Sequence, residues 1–122
     1  MWVPLIENRA YNTPGARYFV EQDLNALFAK SPKIDTLLLG CTHYPLLLET
    51  IESLVPPGVK VLTQGAIVAA SLVDYLQRHA HLDATIPKQN DCVFYTTDAT
   101  LDFNAHAADF LGYSVEPLPA TL

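Results

Sequence analysis

The sequence predicts an α/β fold with a mostly parallel sheet and flanking helices. Two mainly apolar runs of strand length, residues 34–39 and 59–63, are each followed by a segment whose apolar residues recur at steps of three and four. A third run, residues 92–96, also precedes a helical segment. Strands that alternate with helices at this spacing are typical of parallel sheets with crossover helices.

The first long helix is predicted from its capping pattern. It follows the short apolar segment 3–7 and a turn, where Thr13 can cap the helix and Pro14 suits its first position. A row of apolar residues then lies on one helical face before the stop at residues 31–32: Ala16, Phe19, Val20, Leu24, Leu27 and Phe28. We expect this amphipathic helix to cover the sheet.

The first strand, residues 34–39, is a compact run that ends in three leucines before Gly40, and it is therefore expected to be a parallel strand buried on both faces. Pro45 is expected to open a helix that ends at Pro56-Pro57-Gly58. The second strand leads through a bend at Gly65 into a helix that ends near His79.

The remaining elements are predicted from shorter stretches of sequence. Residues 80–91 are polar and contain proline, as expected of a connector. After the third strand, a helix is expected to begin at Thr100 and to close at Gly112. A last short strand is expected over residues 114–116.

Length and charge limit the classes of function. A chain of 122 residues can enclose one core, and no window reaches the roughly 18 unbroken apolar residues of a membrane span. The chain starts without the basic head of a signal peptide, so we expect a soluble cytoplasmic protein. A net charge of −6 without a Lys/Arg cluster argues against nucleic acid or a membrane surface and favours a small-molecule partner.

The residues that carry chemistry lie between the first strand and the helix after it. Cys41 follows the strand, where backbone N–H groups favour a thiolate, so it is a candidate base or nucleophile. His43 can bind a substrate carboxylate, stabilise a thiolate or act as an acid, and Thr42 offers a hydroxyl to an anion. Alternatively, Cys41 is a small buried apolar residue and His43 satisfies backbone groups at a helix start.

A metal site is not expected, because Cys-x-His supplies only two ligands and no Cys-x-x-Cys pair occurs. Cys92 begins an apolar run and is expected to be buried and structural, so both cysteines are interpreted as free thiols. The remaining histidines are expected to face solvent: His79, His81 and His106.

Residues 40–47, Gly-Cys-Thr-His-Tyr-Pro-Leu-Leu, resemble the second cysteine motif of glutamate racemase, in the aspartate/glutamate racemase superfamily. Residues 1–7 resemble the segment after that family's Ala-Cys-Pro stretch, and residues 35–40 resemble its strand leading to the motif. Residues 94–98 and 110–112 resemble its C-terminal end. All of these match the second half of the family's chain, which implies part of a two-domain, pseudo-symmetric α/β fold.

The resemblance implies cofactor-free, two-base interconversion of L- and D-glutamate, which supplies D-glutamate for peptidoglycan. By position, Cys41 corresponds to the cysteine that takes the proton from L-glutamate. Thr42 and His43 carry over as substrate contacts, and His43 also as the catalytic neighbour that tunes the thiol.

The sequence departs from the family in one respect that matters for turnover. The Asp-Ser-Gly-x-Gly-Gly loop and the Cys-Asn-Thr motif of the family's first half do not occur, and Cys92 lies in a different context. The resemblance therefore implies a fragment, with residues 1–62 in the second racemase domain and residues 63–122 returning to the first. Exposed apolar patches are then expected to favour association, of which a homodimer is one form.

Three other interpretations stay open. Racemases for aspartate typically carry Glu in place of His43, so glutamate is favoured within the family. A non-catalytic module could bind a small acidic metabolite or a partner protein. A cysteine hydrolase is less favoured, because residues two apart on a turn tend to point apart and no acid that orients His43 can be identified from the sequence.

Overall fold

The structure is a computed structural model that describes residues 1–86 and 92–121. The chain divides into two compact units, Met1–Asp83 and Ala84–Leu122. The elements of the first unit, in chain order, are α1 (Trp2–Glu7), α2 (Pro14–Phe28), β1 (Thr36–Leu39), a 3₁₀ turn (Tyr44–Leu47), α3 (Leu48–Glu52), β2 (Lys60–Thr63), α4 (Gln64–Arg78) and α5 (Ala80–Asp83). Those of the second unit are β3 (Tyr95–Thr96), α6 (Thr100–Leu111) and β4 (Leu118–Pro119).

Helix α2 begins where its capping pattern predicts. The Oγ1 of Thr13 accepts a hydrogen bond from the backbone N–H of Ala16 at 3.2 Å, which satisfies one of the free donors of the first turn. Residues at steps of four, Ala16, Val20 and Leu24, are buried and form the face that packs on the core. The prediction of this amphipathic helix is confirmed.

The predicted α/β class with parallel strand pairing is also confirmed. Strand β1 pairs in parallel with β2, with Thr36 opposite Lys60 and Leu39 opposite Thr63. The connection between them runs through the 3₁₀ turn and α3. Parallel neighbours need such a crossover, and it brings the carboxyl ends of both strands to one edge.

The core of the first unit lies on one face of this sheet, which corrects the expectation that β1 is buried on both faces. Leu39 is 3% exposed, whereas its neighbour Leu38 is 58% exposed. Successive strand residues point to opposite faces, and the buried helical residues all cluster with Leu39. The buried cluster consists of Trp2, Ile6, Ala16, Val20, Leu24, Leu39, Leu47 and Ile51.

Several predicted boundaries are corrected in the first unit. The helix expected from Pro45 is a four-residue 3₁₀ turn followed by the five-residue α3. Gly65 lies inside α4 instead of forming a bend, because that helix already begins at Gln64. The connector expected over residues 80–91 contains α5, and its residues 87–91 lie outside the described residues.

The second unit is built around one helix and one strand pair. Strand β3 covers only two residues of the predicted run 92–96, and it pairs in parallel with β4. The last strand therefore lies at residues 118–119 and not at 114–116. Helix α6 ends at Gly112, whose φ of 76° lies in the left-handed region that glycine enters without a steric cost.

None of the helices in the described part of the chain combines the length and hydropathy of a membrane-spanning segment. The boundary between the two compact units falls after Asp83. The division at residues 62 and 63, which came from the family resemblance, stays a prediction.

Truncation of Ile51 tests the core. Ile51 is 0% exposed, so Ile51→Ala removes buried methyl groups and leaves a cavity. We expect a loss of about 2–5 kcal/mol in the free energy of unfolding, measured by urea denaturation. The matched control is Ile67→Ala, at a site 52% exposed, for which we expect a change below about 1 kcal/mol. Equal losses for both variants would contradict the assigned core.

Candidate functional site

The Cys41 segment lies at the carboxyl edge of the parallel strand pair. Cys41 follows the end of β1 by two residues, and its carbonyl oxygen accepts a hydrogen bond from the Tyr44 N–H at 3.3 Å. The carbonyl of His43 accepts one from the Leu46 N–H at 3.2 Å. These two bonds close a turn at the edge where open parallel sheets bind their ligands.

The turn brings the side chains of Cys41 and His43 together. The Sγ atom lies 3.7 Å from His43 Nδ1, within hydrogen-bonding distance for sulfur, and both residues are half-buried. The sequence argument that residues two apart on a turn point away from each other is therefore wrong here. Thr42 is exposed, and its Oγ1 lies 3.5 Å from the same Nδ1.

The structure adds an acidic residue that the sequence did not single out. Glu7 Oε1 lies 3.5 Å from His43 Nε2, on the opposite side of the imidazole from the thiol. Their side chains are 56% and 35% exposed, so this ion pair contributes little to stability. Its significance is that His43 contacts the Glu7 carboxylate on one side and the Cys41 thiol on the other. In such an arrangement the carboxylate orients the imidazole, which acts as a base towards the neighbouring thiol.

Glu7 reaches the site because α1 is anchored beside the turn. Trp2 and Ile6 of α1 are buried in the core. The Trp2 ring packs against Tyr44 with centroids 4.8 Å apart and planes tilted by 56°. The sequence offered one signal for Glu7, since it is the only charged residue of the apolar segment 3–7. It could not show that this segment folds back over residues 41–44, more than thirty positions later.

The sequence also overestimated the helix that follows Cys41. A long helix would place a substantial dipole behind the thiol, but here a 3₁₀ turn and a five-residue helix follow. The helix dipole behind the thiol is correspondingly weak. Among the contacts at this turn, the imidazole of His43 is the group next to the Cys41 sulfur that can carry a positive charge.

The other sequence candidates lie elsewhere. Cys92 is exposed, which contradicts its expected burial, because the strand begins only at Tyr95 and leaves Cys92 outside it. His81 is exposed as expected, whereas His106 and His79 are half-buried. His79 stacks on Tyr75 with ring centroids 4.1 Å apart. Among residues 1–86 and 92–121, no three side chains of metal-ligating type are grouped.

A cleft of about 550 Å³ opens at the other end of the sheet. Its lining includes residues 31–35 and 56–59, which precede β1 and β2. It therefore lies at the amino ends of the parallel strands, away from the edge that carries Cys41. Since ligands of such sheets bind beyond the carboxyl ends, we do not assign the functional site to this cleft.

Comparison with known proteins points to glutamate racemases. The glutamate racemase of a Listeria monocytogenes serotype 4b strain is 39% identical over 110 residues, which is 90% of this chain and 40% of the relative. That of Lactiplantibacillus plantarum is 37% identical over 114 residues, again 40% of the relative. No protein-family model matches the chain.

The fold comparison agrees with the sequence comparison. The crystal structure of glutamate racemase isoform RacE1 from Bacillus anthracis matches with a TM-score of 0.80 at 30% identity, over 98% of this chain and 44% of that one. The chain thus spans less than half the length of its relatives. The similarity to glutamate racemase inferred from residues 40–47 and their surroundings is confirmed.

Alkylation of the two thiols tests the contact between Cys41 and His43. A base beside a thiol raises its nucleophilic reactivity, so we expect His43→Asn to lower the iodoacetamide reaction rate of Cys41 by about tenfold. Cys92 is exposed and belongs to the other unit, so it serves as an internal reference in the same molecule. Mass spectrometry of the two cysteine peptides gives both rates. An unchanged ratio of the rates would contradict the assigned contact.

Proposed function

We propose that this chain is the Cys41-bearing part of a glutamate racemase, and that Cys41 is one of two groups that exchange a proton at Cα of glutamate. The observation that carries the proposal is the contact series from Cys41 Sγ through His43 to Glu7 at the carboxyl edge of the sheet. The similarity to glutamate racemases over 90% of the chain supports the substrate class. No cofactor enters the proposed reaction.

The proton transfer needs a thiolate at Cys41. In the proposed reaction His43 accepts the thiol proton, and the Glu7 carboxylate stabilises the imidazolium that results. The thiolate sulfur then takes the proton from Cα, the C–H electron pair remains on the substrate, and negative charge develops on its α-carboxylate. Return of a proton to Cα from either side completes the exchange.

Thr42 and His43 are proposed as substrate contacts. The Thr42 hydroxyl is exposed at the strand edge and lies beside the imidazole, so it can donate to an anionic oxygen. Developing charge on the α-carboxylate is stabilised most by donors that are already in place before the reaction. His43 thus has two proposed roles, as contact to the substrate and as the group that tunes Cys41.

Inversion at Cα requires an acid on the opposite face of the substrate. We propose that this group lies in the part of the racemase fold that the chain does not span. In the same proposal residues 1–62 belong to the domain of the Cys41 motif and residues 63–122 to a segment that joins the other domain. The product, D-glutamate, would serve peptidoglycan synthesis in the cytoplasm.

Exchange of the Cα hydrogen tests the assignment of Cys41 as a base. In heavy water we expect this chain to introduce deuterium into L-glutamate with retention of configuration, because one base can return a deuteron to the face from which it took the proton. Proton NMR of the Cα signal follows the incorporation. Cys41→Ala should abolish it, whereas Cys92→Ala should leave it unchanged. Exchange that survives in Cys41→Ala would contradict the proposed base.

Neutralising Glu7 tests its positioning role. In Glu7→Gln the imidazolium loses its counter-charge while the shape of the side chain is kept, so we expect the exchange rate at saturating glutamate to fall by about tenfold. The glutamate concentration that gives half of the maximal exchange rate should change little, because Glu7 is not proposed to touch the substrate. Glu52→Gln, an exposed carboxylate on α3, is the matched control and should leave both quantities unchanged. A larger effect on half-saturation than on rate would contradict the role.

A second candidate is a cysteine-nucleophile hydrolase, because Glu7 supplies the orienting acid that the sequence argument found missing. In that reaction the Cys41 sulfur would attack an ester carbonyl, expel the alcohol and form a thioester that water then cleaves. Intact mass spectrometry after incubation with a p-nitrophenyl ester distinguishes the two functions. Acylation at Cys41 without Cα exchange favours the hydrolase, and exchange without acylation favours the racemase.

A further inference from the structure

A second cleft, of about 450 Å³, opens between α2 and α3, and we call it the Arg17 cleft. Its lining comes from the start of α2 and from α3 with its C-cap, and it includes Thr13, Pro14, Arg17, Glu49, Thr50 and Ser53. The volume lies within the range of small-molecule sites in proteins. None of residues 40–47, all of which the structure describes, contributes to the lining. The Arg17 cleft is therefore separate from the candidate site at Cys41.

Arg17 is oriented at this cleft by hydrogen bonds. Its Nη1 donates a hydrogen bond to Ser53 Oγ at 2.9 Å, and that hydroxyl donates to the Thr50 carbonyl oxygen at 2.8 Å. A guanidinium group has five N–H donors, of which the bond to Ser53 uses one. A ligand therefore meets a guanidinium that is already held in place, which lowers the entropy cost of binding.

Glu49 brings the opposite charge to the same cleft. It lies in the first turn of α3, and both Glu49 and Arg17 are exposed. Within residues 1–86 and 92–121 these two side chains do not form an ion pair with each other, although opposite charges attract. Hydroxyl side chains at Thr13, Thr50 and Ser53 complete the polar part of the lining. The Arg17 cleft thus presents a positive and a negative group that are not neutralised by one another.

This combination of charges favours a ligand that carries both signs. A simple anion would be attracted by Arg17 and repelled by Glu49, and a simple cation would meet the reverse. One exposed ionic contact contributes little, but two contacts made by one molecule reinforce each other, because the second forms at a high effective concentration. The charges at the cleft therefore select against ligands with only one of the two groups.

We propose that the Arg17 cleft binds a small zwitterionic amino acid, with its carboxylate on Arg17 and its ammonium group on Glu49. Arg17 belongs to α2 and Glu49 to α3, so the bound molecule joins the two helices. The 3₁₀ turn that leads from the Cys41 segment runs directly into α3. The proposal does not rest on the proposed racemase function, because it concerns different residues and no reaction.

Titration of the ¹⁵N-labelled chain, followed by heteronuclear NMR, tests the proposal at low ionic strength, where exposed charges are least screened. The probes are L-alanine, β-alanine and 4-aminobutyrate, whose carboxylate and ammonium groups are separated by increasing lengths of chain. We expect at least one of them to bind and to shift the amide signals of Thr13, Thr50 and Ser53. Propionate and ethylamine carry one charge each and should shift these signals much less at the same concentration.

Variants that remove one charge identify the two contacts. Arg17→Gln and Glu49→Gln should each weaken binding of the zwitterion by about fivefold, the size expected for one exposed ionic contact. Lys30→Gln and Glu52→Gln are the matched controls, since both remove an exposed charge outside the lining, and they should bind like the parent chain. The same spectra show whether each variant is folded.

The outcomes are independent of the proposed function. Cys41→Ala should bind the zwitterion like the parent chain, whether or not the parent chain exchanges the Cα hydrogen of glutamate. Absence of binding by all three zwitterions, equal shifts from propionate, or unchanged binding in either glutamine variant of the cleft would each overturn the proposal. Shifts confined to residues 40–47 would place the probe at the Cys41 site and would overturn it as well.

Discussion

The docking of α1 beside the Cys41 turn is the constraint on which the candidate site depends. Trp2 and Ile6 are both buried, and Trp2 packs on Tyr44, which belongs to the turn itself. Burial of large apolar side chains is the strongest favourable term available to a small unit. Here it fixes a helix whose last residue, Glu7, then meets His43. The burial of Trp2 and Ile6 thus determines the position of the Glu7 carboxylate.

The three polar groups of the site are held by contacts of different range. Cys41 and His43 meet through a local turn closed by two backbone hydrogen bonds, so their distance is set within six residues of chain. Glu7 meets His43 only through the tertiary packing of α1. The thiol and imidazole therefore depend on turn geometry, whereas the carboxylate depends on the integrity of the core. Loss of core packing would separate Glu7 from His43 while leaving the local turn to form.

The features that the sequence predicts well are those decided by neighbouring residues. The cap at Thr13, the spacing of Ala16, Val20 and Leu24, and the glycine at the end of α6 act within a few positions, and all three occur as expected. Burial of Leu38 and Cys92 was predicted wrongly, because burial depends on which elements cover a strand and where that strand begins. Glu7 was missed for a related reason. Its role depends on a fold-back that the alternation of strands and helices does not specify.

Trp2 has a further consequence for the study of this molecule in solution. It is the only tryptophan in the sequence, it is buried, and its ring lies against Tyr44 beside the candidate site. Its indole N–H has no hydrogen-bond partner among the described residues. The tryptophan fluorescence of the chain therefore comes from one apolar position between α1 and the Cys41 turn. The emission wavelength of Trp2 and energy transfer to it from tyrosine therefore report whether Trp2 is packed against Tyr44, and no label near the thiol is needed.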